Sequence, residues 1–241
     1  MDDELRPLSL GAAALLFAGP TLAMGAAIRL GVPALREAGV AMPLAWFLAG
    51  GPVFALLVAM AAIAYAREAR PWTTAAICER MRLRPMSATD WRWTGAGMLV
   101  MIVCTALLFG GSALLSALIG IGPLEPSAKA LAFDPLGPGQ RWMLLVWLPF
   151  FASNIFGEEL LWRGVILPRQ ERAHPEWAWL AHGALWLGFH AAFGWQLMLA
   201  SAPLIFIQSY VVSRRGNTWI GVIMHAGING PGFLAVCFGL V

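Results

Sequence analysis

Residues 142–164 read "WMLLVWLPFFASNIFGEELLWRG", and this stretch decides the class of the fold. It is uncharged from residue 142 to residue 157, and then Glu158, Glu159 and Arg163 follow within six positions. The whole chain shares this character, because 59% of its 241 residues are hydrophobic and only 12% are charged. Soluble domains carry about 25% charged residues. The composition therefore predicts an all-α, polytopic transmembrane helical bundle.

The uncharged runs of the sequence predict about seven spans. A span needs about 20 apolar residues, and long runs in lipid must be helical to satisfy their backbone. The run at 177–213 contains 37 residues without Asp, Glu, Lys or Arg, so we expect two short helices with a break near Gly194. The runs are 7–28, 38–66, 93–124, 142–157, 177–213 and 216–241.

The distribution of basic residues predicts the orientation. If loop 67–92, with its six arginines, is cytoplasmic, twelve Lys and Arg lie on that side and four lie on the other. This bias predicts a cytoplasmic N-terminus. The stretch "MDDELR" before the first run is acidic, so a retained span is expected there rather than a signal peptide. Loop 67–92 is also expected to hold a short surface helix among anionic lipids.

The net charge of +3 does not indicate a nucleic-acid partner, since the basic residues sit in short loops where membrane topology explains them. The three cysteines are scattered and form no CxxC pair, so neither a disulfide framework nor a cysteine metal site is predicted. Fifteen arginines against one lysine suggest a GC-rich genome. We therefore expect an integral protein of a bacterial inner (plasma) membrane, with membrane lipid as a partner.

Ionisable side chains inside spans are costly and usually functional, which draws attention to the charges after residue 157. Glu159 and Arg163 are spaced i, i+4 and can pair on one helix face, while Glu158 lies on the adjacent face. Two carboxylates this close should not both ionise easily, a property that suits acid/base chemistry. The alternative interpretation is a helix end whose charges reach into water. If the helix ends at Arg163, Glu158 lies about 7 Å from the cytoplasmic end.

Two further spans carry polar side chains. His190 follows Trp186 by one helical turn, and His225 and Asn229 are spaced i, i+4, so the latter two can converge on one ligand or water. The alternative is a set of helix–helix hydrogen bonds worth about 0.6–2 kcal/mol. His190 would lie roughly 20 Å deep in a helix that began at residue 177. That depth is too great to meet the glutamates, unless 175–182 lies along the interface.

Together, the three patterns EExxxR (Glu158, Glu159, Arg163), WxxxH (His190) and HxxxN (His225, Asn229) occur in order on three predicted spans. This ordered set resembles the CPBP intramembrane protease family, which includes type II CAAX prenyl endopeptidases and bacterial relatives linked to bacteriocin processing or immunity. The family's second motif usually begins with Phe, where this chain has Trp. The resemblance covers residues 142–232, while spans in residues 1–124 carry no recognised motif.

The resemblance implies hydrolysis of a peptide bond within or at the membrane. One glutamate would activate a water as general base, and His190 and His225 would help hold that water or a metal. Asn229 would donate to the oxyanion of the tetrahedral intermediate. Arg163 would hold Glu159 ionised, which makes Glu158 the better candidate for the base.

The resemblance leaves the metal and the substrate open. The set His190, His225 and Glu159 would suit Zn²⁺ with one open position for water. The sequence contains no HExxH motif, however, and a metal-free, glutamate-activated water fits the same residues. The implied substrate is a membrane-associated peptide or lipidated protein, of which a prenylated CaaX peptide is the family's best-known example.

Two other functions compete with the protease. A catalytically idle scaffold or immunity protein of the same fold could keep the motifs for their hydrogen bonds alone. A proton or ion pathway would also place Glu and His inside a membrane. The pathway is disfavoured, because the polar groups are expected to cluster toward the cytoplasmic side rather than to spread across the bilayer.

Overall fold

The computed structural model describes residues 5–125 and 129–240, which form ten α-helices and no strand. The predicted cytoplasmic N-terminus at 1–4 lies outside the described residues, as do residues 126–128 and residue 241. The helices are α1 Leu10–Ala26, α2 Val32–Glu37, α3 Met42–Ala66, α4 Thr74–Arg80, α5 Ala88–Ile119, α6 Met143–Glu158, α7 Leu167–Ala173, α8 Ala178–His190, α9 Trp195–Arg215 and α10 Thr218–Cys237. The all-α class is confirmed.

Six helical segments of the described chain are long and apolar enough to cross a membrane. They are Leu10–Glu37, Met42–Ala66, Ala88–Ile119, Met143–Ala173, Trp195–Arg215 and Thr218–Cys237. Two of them are continuous through π-helical segments, Ala27–Gly31 and Glu159–Ile166. The remaining one of the seven expected spans is α8, which has only 13 residues and is shorter than a full span. The chain is an integral membrane protein.

The break expected near Gly194 is confirmed. Helix α8 ends at His190, a short 3₁₀ turn covers Ala191–Phe193, and α9 begins at Trp195. Gly194 has a φ of +98°, a conformation that residues with a Cβ rarely adopt. The chain therefore reverses direction at this glycine, and α8 and α9 pack against each other as a helical hairpin.

The expectation that the helix of the glutamates ends at Arg163 is wrong. Arg163 does not end the helix, since the π segment Glu159–Ile166 and then α7 continue it to Ala173. Glu158 therefore lies near the middle of the 31-residue segment Met143–Ala173, about 20 Å along the helix from its last residue. His190 reaches a comparable depth from the start of α8. Residues 178–182 belong to that helix, so no interfacial segment is needed to bring His190 to the glutamates. The placement of the site toward the cytoplasmic side stays a prediction.

One end of the bundle, which we name the loop side, collects the segments with the most arginines. The backbone N–H of Leu8 donates to the carbonyl of Arg169 at 3.0 Å, which places the start of α1 beside α7. Arg84 donates to the carbonyl of Arg215 at 2.8 Å, which joins loop 67–87 to the end of α9. The basic segments that the sequence assigned to one side thus lie together.

The interior packs around the span that carries the glutamates. Trp162 is fully buried and stacks on Phe17 of α1 with ring centroids 4.0 Å apart. Helix α6 lies against α3 so closely that a Cβ on Gly157 would lie 2.7 Å from the carbonyl oxygen of Phe54. Glycine at this position therefore allows the two backbones to approach, and the approach sets the depth at which Glu158 and Glu159 face the other helices.

Candidate active site

Glu158 is 2% exposed and is held by neutral donors. Its Oε1 accepts a hydrogen bond from Asn154 Nδ2 at 2.9 Å. Its Oε2 accepts from Trp186 Nε1 at 2.6 Å and from Trp162 Nε1 at 3.4 Å. Because all three donors are uncharged N–H groups, they orient the carboxylate without cancelling its charge.

Glu159 is fully buried and has different partners. Its Oε1 accepts from Gln208 Nε2 at 2.8 Å, lies 2.9 Å from His225 Nδ1, and forms an ion pair with Arg163 at 3.3 Å. A Cβ on Gly221 would overlap this carboxylate. Helix α10 can therefore lie directly against Glu159 only because residue 221 is glycine. The pairing of Glu159 with Arg163, predicted from their spacing, is confirmed.

Arg163 is fully buried and also contacts an aromatic ring. Its Cζ lies 3.5 Å from the ring centroid of Trp186, a cation–π geometry. The Trp186 side chain thus contacts Arg163 with its face and donates its N–H to Glu158. Trp186 therefore links Arg163, the ion-pair partner of Glu159, to Glu158.

His225 and Asn229 lie on one face of α10, as their spacing predicted. An ionised carboxylate only accepts hydrogen bonds, so the contact with Glu159 places the proton on His225 Nδ1. Nε2 then accepts from Asn229 Nδ2, which is 3.0 Å away. Asn229 Nδ2 also lies 3.5 Å from Oδ1 of Asn154, and the Nδ2 group of Asn154 donates to Glu158. A chain of polar contacts therefore runs from one glutamate to the other through α10.

His190 is joined to this group by Trp186. Its Nδ1 lies 3.0 Å from the Trp186 carbonyl, which can only accept, so Nδ1 carries a proton and Nε2 is an acceptor. The Trp186 ring lies edge-on to both His190 and His225, with centroids 5.6 Å apart in each case. His190 and Asn229 are half-buried, whereas both glutamates are buried. These two side chains therefore mark the open side of the group.

The structure brings all six predicted site residues into one group, but it adds three that the sequence argument missed. Asn154 and Trp162 hold Glu158, and Gln208 holds Glu159. Asn154 and Trp162 stand four residues before and after Glu158, so their i, i±4 spacing could have revealed them. Gln208 is on a separate helix, and its sequence carries no comparable signal.

His182 does not join the group. It is fully buried, its Nδ1 donates to Gln170 Oε1 at 2.7 Å, and its ring lies edge-on to Phe17. The ring thus links α8 to α7 and α1. The structure therefore gives His182 a packing role outside the group.

The predicted metal set does not have the arrangement of a zinc site. Within residues 5–125 and 129–240, no three His, Cys, Asp or Glu side chains are placed to share a metal ion. Both ring nitrogens of His225 are engaged, one by Glu159 and the other by Asn229. The three residues His190, His225 and Glu159 therefore do not fit zinc coordination as they stand. Zinc dependence stays a prediction for experiment.

Comparison with known proteins identifies the region that holds this group. Residues 140–230 match the family model described as Rce1-like, type II CAAX prenyl endopeptidase Rce1-like. Over these residues the chain is similar to the Rce1-like family. The resemblance expected for 142–232 is thereby confirmed, and Glu158 to Asn229 all lie within the matched residues. No curated protein and no solved structure gives a significant match.

The Rce1-like match supports a CAAX-type intramembrane protease fold for residues 140–230. It covers Glu158 at the end of α6, the π segment that begins at Glu159, and the parts of α8 and α10 that carry the histidines. Residues 1–124 lie outside it, and the division of the chain at that point stays a prediction.

Proposed function

We propose that this protein is an intramembrane endopeptidase in which Glu158 activates a water to cleave a peptide bond of a membrane-associated protein. One observation carries the proposal: the two adjacent glutamates are bound in opposite ways. Glu158 is held by neutral N–H groups, whereas Glu159 is held by a guanidinium, an imidazole and an amide. Such a division assigns one carboxylate to proton transfer and the other to orientation.

In the proposed reaction, Glu158 takes a proton from a water while the water oxygen attacks the scissile carbonyl carbon. His190 Nε2, in its acceptor form, helps to hold that water. The negative charge moves to the carbonyl oxygen, where the Asn229 N–H that does not donate to His225 stabilises it. Glu158 then returns its proton to the leaving amine as the C–N bond breaks. The products are a carboxylic acid and an amine, so no other reactant is required.

Glu159 supports this chemistry without touching the substrate. It fixes the tautomer of His225, whose Nε2 in turn orients the Asn229 amide. A carboxylate that orients an imidazole in this way is known from serine proteases. Arg163 balances the buried charge of Glu159 and, through Trp186, sets the position of Glu158.

The substrate proposed is a peptide or lipidated protein held in the bilayer, with a prenylated CaaX peptide as the first candidate. The open side of the group, at His190 and Asn229, would receive the scissile bond. The protein would reside in a bacterial inner membrane with the loop side, and hence the N-terminus, in the cytoplasm. The positive-inside bias of twelve basic residues to four supports this orientation.

The test is cleavage of a quenched fluorescent peptide panel, prenylated and unprenylated, by purified protein in detergent. Glu158→Gln should lower kcat by about 10²–10⁴-fold, the usual contribution of a general base. The matched control is Glu37→Gln, the same chemical change at an exposed position at the end of α2, and it should leave kcat unchanged. Size-exclusion profiles should show that both variants are folded.

A zinc chelator added to the wild type separates the two mechanisms. Cleavage that survives chelation supports the metal-free, glutamate-activated water. Loss that Zn²⁺ restores would instead make the histidines metal ligands, through a rearrangement of His225. A biological effect that persists in the Glu158→Gln variant would contradict the protease and favour the idle scaffold or immunity protein.

A further inference from the structure

Loop 67–87 reaches from the loop side into the bundle and contacts the span that carries the glutamates. Arg80, the last residue of α4, is 5% exposed. Its Nε and NH2 groups donate to both carboxylate oxygens of Glu68 at 2.5 and 2.6 Å, a bidentate pair. Its NH1 group donates to the backbone carbonyl of Gly164 at 2.8 Å. Gly164 directly follows Arg163, the cation of the site.

The next residues of the same loop contact a different helix. The hydroxyl of Thr218 donates to the carbonyl of Met81 at 2.6 Å, and its backbone N–H donates to the carbonyl of Arg82 at 2.9 Å. Asn217 Nδ2 donates to the carbonyl of Arg84 at 3.1 Å. Thr218 is the first residue of α10, the helix that carries His225 and Asn229. We name the segment 80–84 the strap.

The contact between Arg80 and Gly164 falls on unusual backbone. In a π segment the hydrogen bonds run from residue i to i+5, and such segments occur frequently at functional sites. A second arginine, Arg169, donates to the carbonyl of Val165 at 3.0 Å and also binds Glu68. The π segment Glu159–Ile166 thus receives two guanidinium donors near its end, and Glu68 holds both of them.

Packing reinforces these hydrogen bonds. A Cβ on Gly164 would lie 3.0 Å from Met81 Sδ and 3.4 Å from the Met81 carbonyl oxygen, so the strap lies directly on the π segment. Two consecutive residues of the strap therefore bind two different helices. Arg80 binds the π segment, and Met81 binds the first turn of α10. The distance between those two helices decides whether Glu159 and His225 meet at 2.9 Å.

From this bridge we infer that Arg80 is a positioning residue for the proposed protease. Arg80 holds the π segment against the strap, and the strap holds the start of α10, so that Glu159 stays in register with His225. The inference rests on the proposed function, but it concerns the geometry of the two helices and can be tested without cleavage. Replacing Arg80 should change the positions of the catalytic groups rather than the affinity for substrate. Arg80 lies on the loop side, whereas His190 and Asn229 mark the open side of the group.

The test compares Arg80→Gln with Arg67→Gln, an exposed arginine at the start of the same loop. Hydrogen–deuterium exchange of the purified protein is followed in peptides that cover 156–166 and 218–229. Arg80→Gln should raise exchange in both segments by about fivefold or more, since loss of the contacts favours local opening. Exchange in α3 should stay the same, and Arg67→Gln should resemble the wild type throughout.

Kinetics provide the second readout. Arg80→Gln should lower kcat by about tenfold or more with KM within about twofold, because small misplacements of catalytic groups are costly. Arg80→Lys keeps the charge but loses the forked donors, and it should fall between the wild type and Arg80→Gln. If Arg80→Gln fails to fold, the lysine variant is measured in both assays.

Wild-type exchange and wild-type kcat in a folded Arg80→Gln protein, or in Arg80→Lys where Arg80→Gln fails to fold, would overturn the inference. An increase of exchange in the first segment alone would also overturn it, since the bridge to α10 would then be absent. If the wild type cleaves no peptide, the proposed function is in doubt, yet the exchange experiment still decides whether Arg80 couples the two helices. The two failures are therefore distinguishable.

Discussion

Helix α5 and the segment Met143–Ala173 are almost equal in length, with 32 and 31 residues, but they meet different surroundings. In the most apolar stretch of each, 6% of the α5 residues are buried within the protein, against 39% in Met143–Ala173. Leu107 on α5 is 70% exposed, whereas Leu161 beside the glutamates is 2% exposed. One helix mainly faces lipid, and the other lies among protein side chains.

The difference shows where this chain can place charge. Helix α5 is uncharged from Trp93 onward, as the lipid-facing surface requires. The segment Met143–Ala173 carries Glu158, Glu159 and Arg163 at its middle because neighbouring helices supply the partners. Enclosure by protein, rather than proximity to water, therefore makes these charges tolerable inside the membrane.

The largest expected effect comes from removing one charge of this enclosed group. Glu159→Gln should lower the free energy of unfolding by about 3–5 kcal/mol, because Arg163 would keep its buried charge without its ion-pair partner. Glu158→Gln should cost less, since its three hydrogen-bond partners are neutral. Unfolding by SDS titration in mixed micelles measures both.

The control for this pair is Glu37→Gln, which changes an exposed glutamate and should leave stability within about 0.5 kcal/mol. A stability loss that is larger for Glu158→Gln than for Glu159→Gln would contradict the assignment of Glu159 as the partner of the buried cation. It would also remove the distinction between the two carboxylates on which the proposed reaction depends.

The sequence predicts the helical class and the break in the long uncharged run, because both depend on local properties. Charge-free runs must be helical in lipid, and Gly194 supplies a conformation that other residues avoid. The end of the glutamate span was predicted wrongly for the opposite reason. Arg163 looked like a helix end, and only tertiary structure shows that it is stacked on Trp186 and fully buried.

The site was predictable where its members carry charge or imidazole, or stand one helical turn from a recognised histidine, and it was missed at amides in the uncharged runs. His225 and Asn229 were placed on one face by spacing alone, and their contact follows. Asn154 and Gln208 sit in uncharged runs, where an amide does not stand out from its apolar neighbours. The contact of Gln208 with Glu159 depends on the approach of separate helices, which composition and periodicity do not contain.

A smaller effect is expected from shortening apolar side chains in the two regions. Leu161→Ala should destabilise the protein by about 2–4 kcal/mol, because it leaves a cavity among packed side chains. Leu107→Ala should stay within about 0.5 kcal/mol, because lipid or detergent fills the space. The same SDS titration measures both. Equal losses at the two positions would mean that α5 packs against protein that the described chain does not contain, such as a second copy.

Replacing a glycine by alanine should give the smallest changes in stability, and these changes should have opposite signs in the two regions. Gly157→Ala places a Cβ about 2.7 Å from the Phe54 carbonyl, so α6 must shift from α3 at a cost of about 1–3 kcal/mol. In Gly110→Ala on α5, the added Cβ meets nothing within 4 Å. The change should stabilise the helix by about 0.5–1 kcal/mol, because alanine loses less backbone entropy on folding than glycine does. Melting temperatures in one detergent give both signs.

The shift of α6 also moves Glu158, so Gly157→Ala should lower kcat while Gly110→Ala leaves it unchanged. A folded Gly157→Ala protein with wild-type kcat would show that the site tolerates the displacement of its own helix, and that the close contact with α3 serves packing alone.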